Sequence, residues 1–164
     1  MKHKVLTDKQ PYAWLICAGI KPIENRTWKC PQKYIGQRML IHASAKDAGY
    51  PEEIFTCDQM TEIYRHLEDG WNTGTYKAGD LWDIMYKTHS AIIGSVIIAD
   101  CVQNHPSIWA MEGYWHWVLK DPILFDEPIL NVKGRLGFWD VNLYSCEECG
   151  KLGRYSFCAE HSPF

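Results

Sequence analysis

The sequence predicts one α+β domain in which a mixed or mostly antiparallel sheet, able to close into a small barrel, carries flanking helices. Segments with the composition of strands dominate the second half of the chain, and helical segments are inserted after the first strand. The length of 164 residues is sufficient to bury a sizeable core. Hydrophobic residues make up 46% of the chain and charged residues 23%, which is typical of globular proteins.

Three helices are predicted from apolar spacing and stop signals. The first covers residues 10–18 and ends before Gly19. The second lies within residues 51–68, where apolar side chains recur at helical spacing and Gly70 follows as a stop. The third covers residues 79–86, whose apolar face is rich in large side chains.

Strands are predicted where β-branched and aromatic residues concentrate. The clearest is residues 91–102, AIIGSVIIADCV, which Gly94 interrupts. The other predicted strands are residues 38–43, 115–119 and 137–141. The Pro-containing segment DPILFDEPIL, residues 121–130, must be extended or turning.

The chain shows no internal repeat, low-complexity segment or linker before about residue 143. We therefore expect a domain of residues 1–143, with a helical insertion at about 51–88, followed by a tail of residues 144–164. No apolar run approaches the roughly 18 residues that a membrane span needs. Of the 7 Cys, three lie in the tail and four are scattered singly along the rest of the chain. This distribution fits a reducing compartment better than a disulfide framework, so we expect a cytoplasmic protein.

Charge and aromatic content narrow the classes of partner. A formal net charge of -3 argues against a protein that coats nucleic acid by bulk electrostatics, so any such contact must be local. The chain has 8 Trp and 9 Tyr. Most of these rings are expected in the core, but some could line a pocket for a flat ligand such as a nucleobase.

The segment GIKPIENRTW gathers Lys21, Glu24 and Arg26 in one loop or extended stretch. In an extended stretch Glu24 and Arg26 share a face. Ionisable groups this close beside apolar neighbours shift one another's pKa values, as a proton-handling or anion-binding site requires. Solvated loop charges are the alternative interpretation of the same spacing.

Several blocks taken together resemble the ASCH family of the PUA-like superfamily. They are QPYAWLICAGIKPIENRTW, IGQRMLIHASAK, IIGSVIIADCV, GYWHWVL and EPILNVKGRLGFWDV, in that order. The resemblance covers roughly residues 8–143, interrupted by the helical segment. It implies a small β-barrel with flanking helices and a cleft that takes RNA or a nucleobase derivative. Some small members are associated with hydrolysis of the amide in N4-acylated cytidine.

The family pattern G-x-K-x-x-E-x-R falls on Gly19, Lys21, Glu24 and Arg26. The small hydrolytic members have Thr where this chain has Glu24. A Thr hydroxyl can act as a nucleophile beside a neutral Lys, whereas a carboxylate pairs with Lys21 and keeps it charged. We therefore expect binding of RNA or a modified nucleoside. The alternatives are an amidohydrolase or nuclease that uses Lys21 and Glu24, with Glu24 activating a water, and a protein-interaction adaptor.

Other residues are candidate ligand contacts around this centre. His42 and Ser44 end a predicted strand, although a buried His bonded to backbone is an equal alternative for His42. Among Trp28, Trp115 and Trp117 we expect one ring to stack on a base and the others to be core. The predicted ligand contacts are Arg26, Trp28, His42, Ser44 and Trp117. Lys133 and Arg135 flank Gly134 in a turn that could touch phosphate, or could simply be an exposed basic turn.

The tail predicts a structural zinc site. CEECG, then seven residues, then CAEH gives Cys-x2-Cys and Cys-x2-His spacing on Cys146, Cys149, Cys158 and His161. Four protein ligands leave no open position, so Zn²⁺ would be structural and not catalytic. The spacer is shorter than in most zinc ribbons, and a tail of unbound thiols is the alternative.

Overall fold

The computed structural model describes residues 1–75 and 81–154. Its strands are β1 (Lys2–Gln10), β2 (Ile23–Arg26), β3 (Arg38–Asp47), β4 (Ala91–Val102), β5 (Trp115–Ile129), β6 (Phe138–Asn142), β7 (Tyr144–Ser145) and β8 (Leu152–Gly153). Its helices are α1 (Tyr12–Cys17), α2 (Pro51–Ile54), α3 (Cys57–Asn72) and α4 (Leu81–Tyr86), with a 3-10 turn at Gln32–Tyr34. None of the helices in the described ranges is long and apolar enough to cross a membrane.

Six strands form one mixed sheet in the order β2-β5-β4-β3-β1-β6. β1 runs parallel to β3, and every other neighbouring pair is antiparallel. The mixed α+β class predicted from the sequence is confirmed. The predicted closed barrel is wrong, because β2 and β6 remain the two edges of the sheet. β2 has only four residues. Near it the two ends of the sheet are joined by side chains and not by backbone hydrogen bonds: Trp117 of β5, the neighbour of β2, stacks on Phe138 of β6 with ring centroids 5.2 Å apart.

The two faces of the sheet carry separate apolar cores. On the first face Leu6 of β1 and Ile41 of β3 pack with the buried helix α1. On the second face their sequence neighbours Val5 and Leu40 pack with residues of β5 and β6. Successive side chains of a strand point to opposite faces, so adjacent residues of β1 or β3 serve different sites.

Strand β1 was not predicted from the sequence. Its positions Lys2 and Lys4 are basic, and both side chains pair with Asp140 of neighbouring β6, at 3.1 and 2.7 Å. Opposite charges on neighbouring strands stabilise a sheet edge. The same charged residues interrupt the alternation of apolar and polar side chains in β1 by which a strand is recognised in a sequence.

Two helix boundaries differ from the prediction. The segment predicted as one helix from residue 51 is divided, because Thr56 caps α3 reciprocally with Gln59. α3 then continues through Gly70 to Asn72, so that glycine is not a stop. The helix predicted for residues 79–86 is observed from Leu81, and residues 79 and 80 lie outside the described ranges.

The strand predicted for residues 115–119 continues to Ile129. The Pro-containing segment is therefore extended, and two of the three register shifts between β4 and β5 fall within it or at its start. Asp121 has a positive φ of 48° at the start of this segment. Gly94 of β4 gives room for the approach: a Cβ there would lie 2.2 Å from the carbonyl oxygen of Ile123.

Candidate functional site

Four charged side chains form an ion cluster on the first face of the sheet: Asp8, Lys21, Glu24 and Arg26. Lys21 Nζ lies 2.8 Å from Glu24 Oε2 and donates to the carbonyl of Ile23 at 2.5 Å. Arg26 Nε lies 2.9 Å from Glu24 Oε1, and Arg26 Nη2 lies 2.9 Å from Asp8 Oδ1. The extended conformation predicted for this segment is observed as β2, which puts Glu24 and Arg26 on one face.

The cluster is mostly buried. The side chains of Lys21 and Glu24 are 5% and 7% exposed, whereas that of Arg26 is 20% exposed. Burial alone would raise the pKa of Glu24, but the charges of Lys21 and Arg26 outweigh it and lower that pKa below its usual range. Glu24 is therefore an ionised acceptor whose two oxygens are both occupied by cations.

Asp8 is the member of the cluster that the sequence prediction missed. Burial and the negative charge of Glu24 raise the pKa of Asp8 to about 8, against the opposing charges of Arg26 and Lys21. Asp8 Oδ2 is buried and receives no hydrogen bond from the described residues. The raised pKa of Asp8 and the lowered pKa of Glu24 belong to one coupled pair of carboxyls, in which Asp8 is the member that holds the proton.

An aromatic rim lies next to the cluster and consists of Trp28, Tyr34, Trp117 and Phe138. Trp28 stands edge-on to both Trp117 and Phe138, with ring centroids 4.8 and 5.7 Å apart. Trp117 is fully buried, stacks on Phe138 and donates its indole N–H to the carbonyl of Trp28 at 3.3 Å. Trp28 itself is 37% exposed. Trp28 is thus the ring available to a ligand, and Trp117 supports it from the core.

Cations lie over two rings of this rim and over Trp115. Arg26 lies over the Trp117 ring at 5.9 Å, Lys29 over the Trp115 ring at 5.3 Å and Lys33 over the Tyr34 ring at 5.0 Å. Lys29 and Lys33 are exposed and form no ion pair with the residues that the structure describes. Flat rings next to unpaired cations are the combination that binds nucleobases and phosphates of single strands.

A family model for the ASCH domain matches residues 6–129. The chain belongs to the ASCH domain family. ASCH domains have a PUA-like fold and generally bind RNA. The matched residues include the whole ion cluster and Trp28, while Phe138 and the turn containing Lys133 lie beyond them. A search of curated proteins gives no match to the chain.

His42 and Ser44 of this ASCH domain lie on the second face of the sheet, away from the ion cluster. His42 follows Ile41, which packs in the core of the first face. His42 is 1% exposed, and its Nε2 donates to the carbonyl of Val132 at 2.8 Å. Burial lowers the pKa of His42, so the ring is neutral near pH 7. The Ser44 hydroxyl donates to the carbonyl of Lys46 at 2.6 Å.

Lys133 and Arg135 join His42 and Ser44 around a cavity of 330 Å³ on that second face. The sequence placed all four residues near one centre. The structure divides them from Lys21, Glu24 and Arg26 by the thickness of the sheet, because residues that are adjacent in a strand point to opposite faces.

The zinc prediction falls partly outside the described residues, since Cys158 and His161 lie beyond residue 154. Cys146 is buried and Cys149 is exposed, and both lie in the turn between paired β7 and β8. Gly150, with a positive φ of 73°, donates its N–H to the Cys146 carbonyl at 2.9 Å. Within residues 1–75 and 81–154, no three His, Cys, Asp or Glu side chains are grouped as a metal site.

Proposed function

We propose that this ASCH domain binds single-stranded RNA or a modified nucleoside, with one base stacked on Trp28 and with Arg26 beside it. The observation that carries this proposal is the exposed Trp28 ring, fixed edge-on against two other rings and bordered by cations. An indole held in this way loses little conformational freedom when a base stacks on it. Stacking of a base on an aromatic side chain contributes about 1–3 kcal/mol.

The charges next to Trp28 favour a ligand that carries phosphate or base oxygens. Lys29 directly follows Trp28, and Lys33 lies in the 3-10 turn that carries Tyr34. Both ammonium groups are exposed and unpaired among the described residues, so they are available to phosphate. The domain as a whole has a net charge of -3, so this attraction is confined to the rim.

The ion cluster supports binding over hydrolysis. Lys21 donates to Glu24 and to the Ile23 carbonyl, so its ammonium is committed to acceptors and carries no lone pair for proton abstraction. Glu24 has a lowered pKa, which weakens it as a general base. Amide hydrolysis of N4-acylated cytidine, or phosphodiester cleavage, would need one of these groups to leave its partners.

Indole N–H resonances test the proposal directly. Each Trp gives one such signal in a ¹H–¹⁵N spectrum, and the Trp28→Phe variant assigns that of Trp28. Titration with a short single-stranded oligouridine or oligocytidine should move the Trp28 signal most and leave that of Trp109 in place, since Trp109 is buried elsewhere in the core. The proposed site would be contradicted if only the signals of other Trp residues moved. It would also be contradicted if no oligonucleotide or nucleoside moved any indole signal.

The proposal includes structural zinc on the tail. Two Cys in a turn closed by a glycine with positive φ, between two paired strands, suit a pair of thiolate ligands on one side of Zn²⁺. Cys158 and His161 would supply the other two positions. Thiolate ligands require reduced cysteines, so the proposal also includes a reducing, cytoplasmic setting.

A further inference from the structure

The turn Lys133-Gly134-Arg135 forms one wall of the cavity on the second face of the sheet, which we call the turn pocket. The side chains that frame it are Thr7, His42, Ser44, Ser90, Lys133 and Arg135. Its volume of 330 Å³ lies within the range of small-molecule sites, about 300–1,000 Å³. Lys133 and Arg135 are exposed, and neither forms an ion pair with a described residue. Every charged side chain that lines the described pocket is a cation.

The turn is anchored at Val132, which precedes its basic residues, and at Gly134, which lies between them. Val132 donates its N–H to the Ser90 carbonyl at 2.7 Å and accepts from His42 Nε2 at 2.8 Å. Gly134 lies against the His42 ring so closely that a Cβ would be 2.6 Å from its Cε1 atom. Contacts with the core therefore fix the backbone of the turn that carries the two cations.

Neutral donors accompany these cations. The backbone N–H groups of Lys133, Gly134 and Arg135 donate no hydrogen bond to the described residues. Thr7 Oγ1 accepts from the indole of Trp139 at 3.0 Å, which leaves the hydroxyl hydrogen of Thr7 to donate. Two cations together with hydroxyl and backbone donors form an environment for an anion with several acceptor oxygens.

Thr7 connects this pocket to the ion cluster. Its side chain lines the turn pocket, while its backbone carbonyl accepts from Arg26 Nη2 at 3.2 Å. The next residue, Asp8, belongs to the cluster. Thr7 therefore lies between the two sites, just beyond Leu6, where the pairing of β1 with β6 ends.

We propose that the turn pocket is a phosphate-binding subsite for the backbone of the RNA whose base stacks on Trp28. This inference rests on the proposed function, because it requires that the strand continue from the rim. The ligand group is a phosphodiester, held by Lys133 and Arg135 and by the donors of the turn.

The test is the salt dependence of binding to a short single-stranded oligouridine, compared between the wild type and Lys133→Ala/Arg135→Ala. Each phosphate contact contributes about 0.7 to the slope of log K against log salt for single strands, so loss of this one contact should make the slope shallower by about 0.7. The control Lys87→Ala/Lys120→Ala removes two exposed lysines elsewhere and should keep the slope of the wild type. Uridine, which has no phosphate, should bind the wild type and the turn variant equally.

The outcomes separate the two proposals. Binding that needs Trp28 but has the same salt slope in the turn variant overturns the subsite and leaves the proposed function intact. If the wild type binds neither oligonucleotide nor nucleoside, the proposed function is wrong, and the turn pocket is not a subsite for RNA. A titration with inorganic phosphate then shows whether the amides of Lys133 and Arg135 bind the anion alone.

Discussion

Arg26 Nη2 lies 2.9 Å from Asp8 Oδ1, and this contact joins the edge strand β2 to β1 across the gap where the sheet does not close. The same guanidinium donates to the Thr7 carbonyl and lies over the ring of Trp117. One side chain thus stabilises the fold and borders the proposed ligand site. Substitution of Arg26 would change both together, so the sharper tests use residues with a single role.

Asp8→Asn should remove a pH-dependent loss of stability. The pKa of Asp8 is about 8 in the folded state, above its usual 3.8, so the folded state holds a proton that the unfolded chain releases. Stability then falls as pH rises through the window from about 4 to about 8. Thermal midpoints of the wild type and Asp8→Asn, measured across this range, should diverge in favour of the variant as pH rises.

The lowered pKa of Glu24 acts in a separate window. Its contribution is present above the usual 4.5 and is lost as pH falls through the folded value, in the wild type and in Asp8→Asn alike. If the wild type instead gains stability over the variant between pH 4 and 8, Asp8 is an ionised partner of Arg26 and its pKa is not raised.

Glu24→Gln should destabilise the domain without revealing a lost activity. The change leaves Lys21 buried beside a neutral amide, and removal of one partner from a buried ion pair costs about 3–5 kcal/mol. The free energy of unfolding is measured by urea denaturation. Incubation with N4-acetylcytidine should release no cytidine with either protein. Robust turnover by the wild type that disappears in a still-folded variant would make Glu24 a general base.

Purified protein should carry about one equivalent of zinc on the tail. Metal analysis of protein prepared without chelator measures this, and Cys149→Ser should lower the zinc content because it removes one of four ligands. Cys57→Ser is the matched control, since Cys57 is an exposed cysteine at the start of α3. Absence of zinc from the wild type, or equal loss in both variants, would contradict the proposed ligand set.

Gly134→Ala should lower stability by about 1–3 kcal/mol, the usual cost of an overpacked contact. The new methyl group would lie 2.9 Å from His42 Nδ1 and 3.3 Å from Thr7 Cγ2. In a His42→Ala background the same change should cost less, because the ring that it meets is gone. An equal cost in both backgrounds would show that the effect comes from the backbone of the turn and not from the contact with His42.

The sequence predicted the local features of this site but not its long-range ones. Strand β4 carries a continuous β-branched signal and was predicted with the bounds observed. The contact between Lys21 and Glu24 follows from their spacing within one segment. Asp8 reaches them only because β1 pairs in parallel with β3 and the sheet curves towards β2, which no local pattern records.

His42 is buried and bonded to the backbone, on the face of β3 opposite the ion cluster. It was a candidate because it ends a predicted strand, but Ile41 faces the side of the ion cluster and His42 faces the other side. Alternation in RMLIHASAK could not settle this, because both faces of β3 are buried over residues 39–43. Likewise, the sequence does not distinguish Trp28 from Trp117, because both are tryptophans. Only the fold shows that the ring of Trp28 is exposed and that of Trp117 is buried.

The most direct test of RNA or nucleoside binding at the rim is an equilibrium titration with short single-stranded RNA, comparing Trp28→Ala with Tyr64→Ala. Tyr64 is an aromatic residue of similar exposure on α3, 44% against 37%, and lies away from the rim. Loss of one stacked base predicts an affinity for Trp28→Ala that is weaker by about 1–3 kcal/mol, with Tyr64→Ala unchanged. Equal affinities for the wild type and Trp28→Ala, both folded, would contradict the proposed site.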